Sequence, residues 1–118
     1  MQYLLLIYMD ERLMANVTPE DGQKMSAEYG VFTQGIIQNG NFKAGDRLKP
    51  TSTATTVRVK DGKTLATDGP FAETREALGG YYLIEAKDLD EAVGIAARIP
   101  AAQHGCVEVR PIWAMGEA

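Results

Sequence analysis

Cysteine and histidine each occur once in the 118 residues of this chain, and the two scarcities remove whole classes of function. A single thiol, Cys106, excludes an internal disulfide and fits a reducing compartment. His104 and Cys106 have no second pair to complete a transition-metal site, so neither a metal nor another cofactor is expected. The acidic pairs Asp10-Glu11 and Glu20-Asp21, and the run Asp88 to Glu91, read as turns and helix starts rather than as a carboxylate cage. Phosphate loops are missing: there is no GxGxxG after a strand and no GxxxxGK[ST]. Lysine and arginine form no cluster and the formal net charge is −4, so nucleic acid is not an expected partner. Long hydrophobic runs are absent as well. The longest, Tyr3 to Met9, falls far short of the ~20 residues that cross a bilayer. It also lacks a basic leader and a small-residue cleavage site. The expectation is a cytoplasmic protein with no membrane segment.

What remains is an ordinary globular composition, 45% apolar and 24% charged, in a chain long enough to bury a core without staples. One domain over residues 1–118 is expected, with its core at about 1–113 and a frayed tail at 114–118. Gln2 to Met9 is nearly all apolar and reads as a central strand. After a polar connection, Thr18-Pro19-Glu20-Asp21 starts a helix: a hydroxyl cap, proline at the first position, acids in the first turn. Met25, Tyr29, Phe32 and Ile36 fall on one face of that helix, and Asn39-Gly40 ends it. Asn41 to Leu48 is a strand candidate. Thr55 to Lys60 alternates, Asp61-Gly62 is a two-residue hairpin turn, and Lys63 to Thr67 returns. Gly79 to Ala86 holds the next strand. Its leading glycines suggest a bulge or a close backbone approach. Asp88 caps a second helix with Glu91 at its third position. Leu89, Ala92, Val93 and Ala96 form its apolar stripe, and Pro100 stops it. Cys106 to Trp113 is the last strand, on which a buried, inert thiol is the expectation for Cys106.

This order is the split βαβ pattern of a ferredoxin-like α+β fold. It predicts one antiparallel sheet of βαββαβ type, an inserted β-hairpin, and two helices on one face. In that fold the first and third core strands are central, and the two most apolar strands occupy those places. Two helices on one face leave the other uncovered. Because the first strand is apolar on both faces, a second copy is expected to close it, which makes a homodimer.

Few residues carry chemistry. Asp68-Gly69-Pro70-Phe71 is the densest signal: Gly69 permits unusual φ, Pro70 rigidifies the turn, and the Asp68 carboxylate is held at a strand end. Such a carboxylate serves a site, or it bonds backbone amides of its own turn. His104, the one imidazole, sits in the loop before the last strand, either as an exposed loop residue or as a general acid or base at a pocket rim. Arg110, on the polar face of that strand, can clamp a carboxylate ligand or pair with Glu108, Glu76 or Glu85. Tyr81 and Tyr82 point to opposite faces, one toward core or interface and the other toward a possible ligand cavity.

Asp68-Gly69-Pro70-Phe71, Ala72 to Glu76, Leu78-Gly79-Gly80-Tyr81-Tyr82 and Val107-Glu108-Val109-Arg110-Pro111 together resemble the DGPF family of the YCII-related superfamily. The resemblance runs from Met1 to about Trp113. It implies a ferredoxin-like domain that dimerises as an α+β barrel. Relatives in this superfamily have a proposed His–Asp pair, with histidine on the first helix and aspartate before a proline after the second, and one relative eliminates chloride from a chloroaromatic. Here no histidine lies between Thr18 and Asn39, and Ile99 precedes Pro100. That activity therefore does not carry over. The resemblance also implies an accessory or regulatory role, since such proteins are often encoded beside alternative sigma factors. Two readings follow. One is a small-molecule-binding or accessory module. The other is a small enzyme doing proton-transfer, elimination or isomerisation chemistry with Asp68 and His104, Arg110 holding an anion.

Overall fold

Strand β1 (Gln2–Asp10) lies between two antiparallel neighbours in the computed structural model, which describes residues 1–117. Its residues alternate between two environments. Tyr3, Leu5 and Ile7 are buried under helices, whereas Leu4, Leu6 and Tyr8 on the opposite face are only half-buried. The remaining elements follow as α1 (Glu11–Ala15), α2 (Pro19–Gln38), β2 (Phe42–Arg47), β3 (Thr55–Lys60), β4 (Lys63–Asp68), β5 (Glu76–Glu85), α3 (Leu89–Ala97) and β6 (Cys106–Pro111). Short 3-10 turns occupy Thr51–Thr53 and Pro100–Gln103. The main sheet has the order β2-β5-β1-β6 and is antiparallel throughout. That is the ferredoxin-like arrangement, with β1 and β5 central as expected. β3 and β4 form a separate two-stranded hairpin.

The helix caps are those expected from local chemistry. The Thr18 hydroxyl accepts from the Asp21 amide at 3.1 Å, and the Asp88 carboxylate accepts from the Glu91 amide at 2.9 Å. Glu91 reaches back to the Lys87 amide at 3.2 Å. Phe32 and Ile36 of α2 and Ala92, Ile95 and Ala96 of α3 pack on Tyr3, Leu5, Ile7, Tyr82 and Ile84 of the sheet, with Ile99 and Ala101 beside them. Leu5, Ile36, Ile84 and Ile99 are the largest wholly buried side chains. Each contributes ~1.5–3 kcal/mol of apolar transfer free energy.

Two local expectations need correction. The connection after β1 is not all loop. Asp10 accepts from the Arg12 amide and caps the short helix α1. The apolar stripe of α3 is also rotated from the expected one: Leu89 and Val93 are exposed, and Ile95 takes their place against the sheet. Spacing alone does not distinguish adjacent stripes on a helix that is apolar over much of its circumference.

Gly79 and Gly80 form the irregularity expected of them. The pairing of β1 with β5 slips between Ile7 and Tyr8, so that Ile7 faces Gly80 and Tyr8 faces Leu78, with Gly79 extra. A Cβ on Gly80 would lie 3.0 Å from the Asp46 carbonyl oxygen. Gly105 is tighter still, because a Cβ there would lie 2.1 Å from the Tyr8 carbonyl oxygen. A backbone oxygen in a paired strand cannot step aside. Gly105→Ala is therefore expected to destabilise the fold by ~1–3 kcal/mol in urea unfolding. An unchanged midpoint would mean that the β1–β6 end is slack rather than locked.

Candidate functional site

An open cleft of about 710 Å³ lies at the end of the sheet where β1 finishes and β5 and β6 begin. Tyr8, Asp10, Glu76, Cys106, Glu108 and His104 line it, together with Leu13, Thr74, Arg75 and Val107. Strand register explains the grouping. Tyr8 pairs with Cys106, Leu6 with Glu108 and Asp10 with Glu76, so these side chains share the face of the sheet that the helices leave open. The cleft is continuous with that face.

Its charges are mostly neutralised in place. Arg12 forks onto Asp10, its Nε donating to Oδ1 at 3.0 Å and its terminal nitrogen to Oδ2 at 2.7 Å, with Arg75 at 3.9 Å. The side-chain hydrogen bond from Arg12, helped by that residue's amide, holds the Asp10 carboxyl at about 2. Glu108 accepts from the Nε of Arg110 at 2.6 Å. Glu76 forms no ion pair among the described residues. Its one neighbour of note is the Cys106 thiol, which donates to Oε1 at 3.7 Å.

Cys106 corrects an expectation. The thiol is exposed, not buried. It is kept protonated all the same, because partial desolvation and the Glu76 carboxylate both push its pKa up. The sequence offered no sign of this, since Glu76 lies thirty residues away and the bulge between them was only suspected.

The other candidates are dispersed. His104 caps the turn Pro100–Gln103 and lines the cleft. Asp68 ends β4, opposite Thr55, and lines no part of the cleft. Its carboxylate makes no hydrogen bond among the described residues. The turn is held instead by Gly69, at φ 104°, whose amide donates to Ala54 at 2.8 Å and whose carbonyl accepts from the Thr56 hydroxyl at 2.8 Å. Arg110 stands on the open face opposite Leu4, paired with Glu108 rather than with Glu76 or Glu85. Tyr81 lies on the same face and donates to the Asp46 carboxylate at 2.7 Å. Tyr82 is in the core between Phe32 and Phe42, with its hydroxyl 2.8 Å from that of Thr33. No group of three or more His, Cys, Asp or Glu residues among those described is arranged to hold a metal ion.

A family model described as the YCII-related domain matches residues 1–116. An uncharacterised protein of Rhizobium meliloti (strain 1021), R00369, is 36% identical over 114 residues, which span 95% of this chain and 92% of that one.

Two measurements test the electrostatics. Arg12→Gln is expected to raise the Asp10 titration midpoint, followed by carboxyl NMR, from about 2 toward the ordinary 3.8. Because folding depresses this pKa, its contribution to stability is present above 3.8 and is lost as pH falls through about 2. Glu76→Gln is expected to speed alkylation of Cys106 by iodoacetamide at neutral pH, through a larger thiolate fraction. Equal rates in parent and variant would show that Glu76 does not restrain the thiol.

Proposed function

The chain belongs to the YCII-related domain family, and on that footing we propose that it is a small-molecule-binding module whose ligand occupies the cleft at the β1–β5–β6 end. The observation that carries the reading is the composition of that cleft. Tyr8, Leu13 and Val107 supply apolar surface, two of its three carboxylates are already matched by arginines, and Glu76 has no cation paired with it among the described residues. Such a lining suits a compact organic molecule with an apolar body and one donor or positive group directed at Glu76.

The open face beside the cleft supports a homodimer. Leu4, Leu6, Tyr8 and Leu83 lie there only half-buried, and a second copy packed face to face would cover them and wall the cleft. A cytoplasmic location fits the single free thiol. No helix among the described residues is long and apolar enough to cross a membrane.

The enzymatic alternative, proton transfer or elimination with Asp68 and His104, retains one supporting observation: His104 lines the cleft beside Cys106 and Glu76. Asp68 does not meet it there, which favours binding over turnover.

The test is a thermal-shift screen of small ring-bearing metabolites, neutral or monocationic, followed by a turnover assay on every hit. A ligand at a hundredfold its Kd stabilises by ~2.7 kcal/mol, a shift of several degrees for a domain of this size. The expected outcome is a hit that is returned chemically unchanged and whose shift is lost in Glu76→Gln. Product formation would replace the binding reading with the enzymatic one. Sedimentation at micromolar concentration is expected to give twice the 12.8 kDa of one chain.

A further inference from the structure

The β3–β4 hairpin is tied to the body only at its base. Thr51 donates from its amide to Glu11 at 2.9 Å, the Gly69 amide bonds Ala54, and the Leu48 amide donates to Gly79 at 2.9 Å. Beyond these bonds the two strands pack on each other and on no other element to any extent. Nearly every residue of both is exposed. The radius of gyration records the projection: 16.3 Å, against about 13.5 Å for a compact chain of this length.

An isolated two-stranded hairpin is marginal in water, and this one presents apolar residues to solvent. Register divides it into two faces. Val57 and Val59 share one with Ala66 and Thr64, its only charge being Asp68 at the base opposite Thr55, and the valines are 60% and 70% exposed. Arg58, Lys60 and Lys63 stand on the other, where Arg58 lies over the Phe71 ring. From Thr55 to Asp68 there are three cations and two acids, a net of +1 in a chain of −4, so the remainder carries −5.

We propose that this hairpin is a clasping arm whose Val57–Val59 face docks on a second copy of the same chain. The inference rests on the face-to-face dimer above and adds to it the element that completes the interface. Two uncovered apolar surfaces, the arm and the open sheet face, belong to one molecule, yet the arm projects away from its own body. Both are covered when two copies meet, the open faces against each other and each arm against the partner's flank, and two-fold symmetry lets each copy give an arm and receive one. The sizes agree. Four strands of six to ten residues make an open face of ~400–600 Å². A standard interface needs ~800 Å² per partner. One face of a six-residue hairpin adds ~200 Å², supplied twice per copy.

Sedimentation of the full chain tests it. Val57→Ser with Val59→Ser is expected to weaken dimerisation roughly tenfold or more, with unchanged far-UV circular dichroism. A spin label on Val59→Cys in a Cys106→Ser background is expected to be immobilised in the dimer and mobile after dilution. A parent dimer matched in affinity by the double variant, with a mobile label, overturns the arm and leaves the face-to-face reading intact. A dimer that survives Leu6→Asp but not the arm substitutions overturns the face and keeps the arm. A parent that sediments as a monomer overturns both.

Discussion

The structure depends on one-sided burial of a twisted sheet. Tyr3, Leu5 and Ile7 on β1 and Tyr82 and Ile84 on β5 meet the helices, and nearly all fully excluded apolar surface lies on that side. A four-stranded sheet cannot be half covered without consequence, because alternation makes the second face as definite as the first. Leu4, Leu6 and Leu83 are set on it by the same register that buries their neighbours. The cleft, the ion pairs Asp10–Arg12 and Glu108–Arg110, and the Tyr81–Asp46 bond all occupy this second face or its margin. The helical side holds the fold together, and the open side is where recognition has room.

Much of the fold was legible because it is written in local chemistry. Thr18 with Pro19, Asp88 with Glu91, and Asp61-Gly62 each specify backbone geometry within four residues, and all three are seen. The central placement of β1 and β5 follows from their apolar runs. The stripe of α3 was misread because small and large apolar residues lie on adjoining faces, and only the sheet decides which face it receives. Asp10-Glu11 reads as a turn or a helix start, and Asp10 does cap a helix; the extent of α1 was not legible, because no apolar stripe follows to mark it.

The candidate site was far less legible. His104 stands out as the sole imidazole and does line the cleft, but Asp68 stands out for a turn whose bonds are made by Gly69. Glu76 and Asp10 carry no site signal of their own in the sequence. They meet only through strand pairing over a long sequence separation, which brings Arg75 beside them, and no local motif reports a pairing register. Cys106 illustrates the same gap: alternation set its side of the strand, but exposure depended on whether anything covered that side.

The extra residue at Gly79 has a further consequence. On β5 the odd-numbered Tyr81 and Leu83 face the open side, yet below the bulge it is the even-numbered Leu78 and Glu76 that do so, because the slip reverses parity. The strand thus carries a phase error of one residue, and the acid end of the cleft exists on the far side of it. A lineage that lost this single glycine would keep every side chain of the cleft in its sequence and aim Glu76 into the wrong layer of the molecule.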